Sequence, residues 1–365
     1  MKTMKFGNLG KLVAILIVAI VIVLTVGVAV GGINENPTDE NTKGDQNENE
    51  NNGSNTEDEN EENKKNEILI PQYVNYLTGL ETDEITYSQK PYALVLSSSA
   101  PLYAVSSADL LIEIPCENGE TRFLAYLYNE EALGKIGSVE PTRNYISALA
   151  SAFGGIVTAY GKDDKINYSG YSNSFYLDLS KSEEYYYSEG AKYLYTVGKS
   201  VSKLSKEENV DISAVRKPNL PYSFAEFGSA VTCINDAEQI LIKYENNATS
   251  FNYDYESQKY LLSKGAGTKT DRLNGAEIGF SNLFILFADT TTYEKSAGVE
   301  MVTETLSQGM GYYATGGTRC EIRWKSNEKG ELTFEDLNGE KLIVNRGNSY
   351  IGYYKSSLPE GVEFN

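Results

Sequence analysis

From Leu12 to Val30 the chain runs for nineteen residues without a charge, nearly all Leu, Ile, Val and Ala. At 1.5 Å per residue a helix of that length spans roughly 30 Å of hydrocarbon. The pattern predicts a transmembrane helix over 12–30. The competing reading is a cleaved signal peptide, for which Ala29-Val30-Gly31 offers a small-x-small site, although the apolar run exceeds the usual length of about 7 to 15 residues. Lys2, Lys5 and Lys11 precede the run and an acidic segment follows it. Positive-inside bias therefore puts residues 1–11 in the cytoplasm and the bulk of the chain outside. Asn34 to Asn66 holds eleven acidic residues, three lysines, many asparagines and almost nothing apolar. Such a segment cannot offset the entropy of ordering, so 31–67 is expected to be a disordered linker.

After Ile68 the periodicity changes. "YALVLSS", "ADLLIEIP" and "TRFLAYLY" read as strands, Tyr145 to Phe153 as a small-residue helix ending at Gly154-Gly155, and "GIVTAYG" as a buried strand. Lys203 to Val215 reads as a second, polar helix, and "RKPNLPYS" as a connection. From about Glu226 the runs "QILIKYE", "SFNYDYES", "KYLLSK", "NLFILFAD", "GYYATGG", "CEIRWKS", "LTFEDLNGEKLIVN" and "NSYIGYY" are strand-like. Val299 to Ser307 is a helix candidate among them, and Asn338-Gly339 signals a type I′ hairpin turn. The expected fold is α+β or α/β: a mixed α/β N-terminal domain over 68–225, then a mainly antiparallel β domain over 226–357.

Composition narrows the chemistry. The 365 residues contain no histidine, which removes Ser-His-Asp and Cys-His arrangements and the usual general base near neutrality. The formal net charge of −19 argues against nucleic acid as a partner. Cys116, Cys233 and Cys320 are too few and too scattered for a thiolate metal site, and at most one pair can bridge. No cofactor and no metal is expected. Asp163-Asp164 is more readily a solvated loop than a cation site, and the Asn247-Ala248-Thr249 glycosylation pattern is attributed to chance. The 28 tyrosines suit strands first, and binding of sugar polymers or peptides second.

The candidate site lies in "IEIPCENGETRF". Glu113 and Glu117 are four apart with Pro115 between them, an arrangement expected to put both carboxylates near one face of a strand. Arg122 follows across the Gly119 turn, and Arg143 arrives just before the first helix. All four are expected to converge at one end of the sheet, around the Gly154-Gly155 connection. The set composes either a structural ion-pair network or a pocket that binds ligand through Glu113, Glu117, Arg122 and Arg143. A third use is an acid/base pair of Glu113 and Glu117 in a hydrolase.

Several segments, in order, resemble the YerB-like lipoprotein family. "NYLTGL" (Asn75 to Leu80) is similar to that family's Asn-Pro-Leu-Thr-Gly-Leu element, and "KPYALVLSS" to its Arg-Pro-Val-Ala-Val-Met strand. "SSADLLIEIPCENGETRFLAYL" is similar to its Ser-Gln-Ala-Asp segment with the following Thr-Arg-Phe, and "KIGSVEPTRNYI" to its arginine-containing turn. "NLFILF", Gly309-x-Gly311 and "GTRCEIRW" follow in the order of its C-terminal part. The resemblance covers roughly Asn75 to Tyr354 and implies a two-part extracytoplasmic protein whose biochemical role is not established at family level. Where the family pattern carries histidines, this chain has Ala159-Tyr160-Gly161, Ala191 to Thr196, and Lys269-Thr270-Asp271; Glu140 replaces the first arginine of the turn. Here a transmembrane anchor stands in place of a lipid-modified cysteine. The leading expectation is a non-catalytic module, anchored in the cell membrane through Leu12–Val30, that binds a wall polymer, peptide or envelope protein. The alternative is a carboxylate-dependent hydrolase of envelope glycan.

Overall fold

The computed structural model describes residues 69–128, 133–162, 176–214, 217–264, 269–296, 299–305, 307–327 and 331–365. The run Leu12–Val30, the acidic linker and Asp163-Asp164 lie outside the described residues. Among the described residues, no helix is long and apolar enough to cross a membrane.

The strands of the first half are β1 (Tyr92–Ser97), β2 (Leu110–Pro115), β3 (Thr121–Leu127), β4 (Ile156–Ala159) and β5 (Tyr176–Asp178). β1 to β4 are buried on both faces over almost their whole length. That is why they read as continuous apolar runs and not as alternating ones. The second half supplies β6 (Asn235–Asp236), β7 (Gln239–Lys243), β8 (Ala248–Asp254), β9 (Lys259–Lys264), β10 (Gly279–Phe280), β11 (Asn282–Ser296), β12 (Val299–Thr305), β13 (Gln308–Thr315), β14 (Thr318–Ser326), β15 (Ser349–Lys355) and β16 (Val362–Phe364). β7 and β8 alternate buried and exposed residues, as strands of a one-sided sheet do.

Two sheets result. The larger has twelve strands, with the main order β6-β14-β13-β11-β15-β2-β3-β1-β4-β5; β12 pairs with β11, and Leu332–Glu335 with β14. The smaller runs β10-β9-β8-β7-β16. β15 joins the halves, lying parallel to β11 on one side and to β2 on the other. One face of the large sheet carries Leu94, Leu111, Phe123 and Ile285, and packs on Ile240, Ile242, Phe251 and Leu262 of the small sheet. The opposite face carries Val95, Ile112, Leu124 and Ile351, and packs on Ile146 and Leu149 of a helix.

The fold is mostly β, and the α/β character expected of 68–225 is reduced to short helices: α1 (Glu84–Ser88), α2 (Asn144–Ala152) and α3 (Gly198–Glu207). α2 falls where expected and stops at Gly154, whose φ of 70° fits only a residue free of Cβ strain, with Gly155 N–H returning to the Ala150 carbonyl at 2.8 Å. α3 starts before Lys203 and ends well before Val215. Val201 and Leu204 set its buried face, and Asn209, at φ 52°, turns the chain out of the helix. Val299–Thr305 is a strand, not a helix; four of its seven residues are β-branched, and pairing with the fifteen-residue β11 overrides a helical reading. The Asn338-Gly339 turn is present, but only Gly339 has positive φ, so it is not type I′. The Asp336 side chain sets it, accepting from the backbone N–H groups of Asn338 and Glu340 at 2.8 and 2.9 Å. Cys233 and Cys320 are joined as a disulfide, and Cys116 is free and buried.

The Gly309-x-Gly311 pair has a packing cause. Trp324 on β14 lies opposite Gly309 and reaches across β13, so that its indole Nε1–H donates to the Phe287 carbonyl of β11 at 3.1 Å. A Cβ at Gly309 would run into both the ring and that oxygen. Gly309→Ala is expected to lower stability by about 2–3 kcal/mol, read as a drop in Tm; an unchanged melt would refute this packing role.

Candidate functional site

β2 ends at Pro115, and Glu117–Gly119 forms a tight turn with Asn118 and Gly119 both at positive φ. This turn breaks the two-residue alternation. Glu113 stays on the face toward the small sheet, whereas the turn carries Glu117 to the start of α2. There the Arg143 side chain donates Nε–H and Nη2–H to the two Glu117 oxygens at 2.7 and 3.0 Å. Arg122, the second residue of β3, has its side chain on the same face as Glu117, since Phe123 beside it points the other way. Its Nη2 lies 3.7 Å from Glu117 and 3.8 Å from Glu140, and its Nη1–H donates to the Pro141 carbonyl at 2.7 Å. Three of the four expected residues therefore meet. They do so at the N-terminal end of α2, away from Gly154-Gly155 at its other end.

The electrostatics favour a closed network. Burial alone would raise the Glu117 carboxyl, but the Arg143 hydrogen bonds and the charges of Arg122 and Arg143 outweigh it and hold the group below the ordinary carboxylate range. Burial raises Glu140, and it pushes the neighbouring Cys116 thiol up to about 12, so that this cysteine is no nucleophile near neutrality. Both arginine forks are used internally.

Glu113 belongs to a different assembly. It is fully buried; its Oε1 accepts from Thr121 and from Lys264 Nζ, both at 2.5 Å, and its Oε2 from Tyr350 and Thr249 at 2.7 and 2.8 Å. Lys264 also donates to Asn247 and Thr249 at 3.1 Å each. The residue of the glycosylation pattern is thus an acceptor for a buried lysine. Glu113 and Glu117 share no cleft, because they lie on opposite faces of the sheet, and every lone pair Glu113 offers has a donor close by.

Two recesses border these groups. A cleft of about 500 Å³ opens over the Glu117–Glu120 turn, lined by Glu117, Glu120, Lys243, Tyr244, Tyr354 and Lys355 among others. The rings of Tyr244 and Tyr354 lie 5.7 Å apart at 59°, and the Tyr354 hydroxyl donates to the Lys243 carbonyl at 2.8 Å. A second basin of about 450 Å³ is lined by Asn75, Thr78, Ser107, Asp109, Lys259 and Asn348 among others. Asp109 borders the apolar start of β2 in "SSADLL", a position where charge is costly and the one sequence signal that marks it. Lys264 gave no comparable signal, since its partner Glu113 lies 151 residues away. Asp271, fully buried, accepts from the backbone N–H groups of Ala104, Ser106 and Leu273 and from the Ser106 hydroxyl, at 2.8 to 3.0 Å.

Both recesses draw residues from both halves of the chain, and the same halves are matched by two family models. Residues 77–211 match the N-terminal domain of a protein of unknown function, DUF3048, and residues 240–351 match its C-terminal domain. The chain belongs to the YerB-like family. It is 25% identical over 262 residues to the Bacillus subtilis (strain 168) protein described as "Putative lipoprotein YerB", covering 68% of this chain and 77% of that one. The crystal structure of YerB from Bacillus subtilis superposes with a TM-score of 0.67 at 22% identity, over 79% of this chain and 98% of that chain. At that identity the likeness shows the fold.

Three expectations follow from these buried charges. Lys264→Met leaves Glu113 without its cation and is expected to cost about 3–5 kcal/mol, with Glu113→Gln added to it recovering part of the loss. Arg143→Ala should destabilise by about 3 kcal/mol, with Glu117→Gln recovering part; if Arg143→Ala leaves the thermal melt unchanged, the network does not hold the turn. Burial raises the Asp109 carboxyl from 3.8 to about 6. A folded pKa above the unfolded one gives stability that is complete below about 4 and is lost as pH rises through about 6. Asp109→Asn should therefore gain on the parent chain between pH 4 and pH 7, by roughly 3 kcal/mol at most, as read by denaturant melts at each pH.

Proposed function

We propose that this protein is a membrane-anchored, extracytoplasmic binding module without catalytic chemistry of its own, and that it holds envelope material in the cleft over the Glu117–Glu120 turn. The observation that carries this reading is the division of labour at the cleft. Glu117, which lines it, is neutralised by Arg122 and Arg143 behind it, while Tyr244, Tyr354, Lys243 and Lys355 line the space. Amphipathic rings beside charged stems suit a sugar polymer or a peptide segment, because rings bury area at low entropy cost. A hydrolase reading on Glu113 and Glu117 loses its basis once the two carboxylates occupy opposite faces.

Export is supported by the uncharged run behind Lys2, Lys5 and Lys11, by the Cys233–Cys320 disulfide, which suits an oxidising compartment, and by the lipoprotein description of the Bacillus relative. In this reading Leu12–Val30 is the anchor and the linker that follows is a tether.

Protease added to intact protoplasts should degrade the part beyond Ile68 while leaving cytoplasmic markers whole; full protection refutes the topology. The compact unit Lys65–Asn365, incubated with isolated wall material, should be retained without releasing soluble fragments. Lys355→Glu with Glu120→Lys should reduce retention about tenfold. Release of glycan fragments that Glu117→Gln abolishes would defeat the binding reading in favour of hydrolysis.

A further inference from the structure

Of the carboxylates of the described residues that sit in or against the core, Glu113, Glu117 and Asp271 are satisfied, and Glu140 has Arg122 at 3.8 Å. Glu113 has Lys264 and three hydroxyls. Glu117 has two arginines. Asp271 has three backbone N–H groups and a hydroxyl. Asp109 is the exception. Its carboxylate accepts one recorded hydrogen bond, from Asn75 Nδ2 at 2.7 Å, and has no cation within ion-pair distance. It is also the one of these that lines the polar basin. Thr78, Ser106, Ser107 and Asn348 line the same basin.

We infer that this basin is a binding site, separate from the cleft, for a ligand bearing a primary ammonium group, which sets its charge against Asp109 and its remaining N–H donors against the neighbouring hydroxyl and amide oxygens. An ammonium group carries three donors and one positive charge, matching the Asp109 carboxylate and the hydroxyl and amide oxygens beside it. A neutral sugar would supply donors but leave the poorly solvated charge without a counter-ion. A calcium ion needs six to eight oxygens, commonly from several carboxylates, and the basin offers Asp109 with only the exposed Glu81 besides. The chain's net charge of −19 raises the local concentration of any cation. The other titratable groups that face Asp109 are few. Tyr76 and Tyr128 are phenols held neutral chiefly by burial, while Glu81 and Lys259 stand in the lining. The segments "NYLTGL" and "SSADLL", on which the family resemblance partly rests, supply Asn75, Thr78 and Leu80 from one side and Ser106, Ser107 and Asp109 from the other.

The inference does not rest on the cleft reading, and its test is separate. Calorimetric titration of the full-length chain in mild detergent would use three probes: Nα-acetyl-lysine methylamide, its Nε-acetylated counterpart, and chitotriose. The free amine should bind at pH 7.5, and its Nε-acetylated counterpart should not. Lowering the pH to 5 should weaken binding about tenfold, since a carboxyl titrating near 6 is then roughly nine-tenths protonated. Asp109→Asn should weaken it at least tenfold. So should Ser107→Leu, which plugs an exposed lining position where no side-chain hydrogen bond is recorded, and which decides the matter if Asp109→Asn fails to fold. Equal binding of the two lysine probes, binding of chitotriose alone, indifference to both variants, or no binding of the amine at ten millimolar would each overturn the inference.

Discussion

The interaction on which the rest of the structure depends is the buried pair of Glu113 and Lys264. Glu113 is on β2 in the large sheet and Lys264 is at the end of β9 in the small one, so the pair and its hydroxyl partners Thr121, Thr249 and Tyr350 tie five strands from both layers at one point. A pair taken so far out of water contributes little net stability compared with an apolar replacement, because desolvation offsets most of the attraction. Its effect is to discriminate. A sheet-on-sheet packing shifted by one residue would leave a lysine and a glutamate buried without partners, which costs far more than a misplaced methyl group. The apolar layers around it, Phe123 and Leu111 against Phe251 and Leu262, tolerate approximate packing; the pair does not.

β15 makes the same constraint reach both halves. It stands between β2 and β11, parallel to both, with Gly352 beside Glu113 on one side and Ile285 on the other. Separating the halves would unpair β2 from β15, turning two interior strands into sticky edges. Lys65–Asn365 is accordingly one compact unit. The recesses follow from this arrangement. Both lie where loops of the first half meet strands or turns of the second, the cleft between the Glu117–Glu120 turn and Lys243–Glu245, and the basin between Asn75–Leu80 and Gly347–Asn348.

Much of this was legible in the sequence, and the failures have physical causes. The strand runs, α2 with its glycine stop, and the meeting of Glu117, Arg122 and Arg143 could be read because each depends on neighbours within about thirty residues. Glu113 was assigned to the wrong company because strand alternation was carried through a turn in which Asn118 and Gly119 reverse the chain. Val299–Thr305 was read by its local pattern, whereas its partner β11 decides its state. The disulfide, the Lys264 partner and the isolation of Asp109 depend on long-range placement, which no local pattern encodes. The lack of histidine was legible at once, and it bears on how the molecule manages charge. With no side chain titrating near neutrality at its ordinary pKa, any response to mild acidity must come from a carboxyl raised by its surroundings.

The buried carboxylates divide accordingly into two kinds. Glu117 is held ionised by two arginines and stays charged through the physiological range; it can shape a wall but not respond to pH. Asp109 lacks such a partner, and burial lifts it to about 6. A fold that stores one carboxylate without a counter-charge is less stable near neutrality than it need be, and three comparable groups in the same molecule show that the means of satisfying such a group were available. The deficit is local to one basin and is removed by whatever brings a positive charge there. A weakly satisfied acid and a hydroxyl-rich recess therefore coincide at Asp109, as a ligand site requires and a purely structural acid does not.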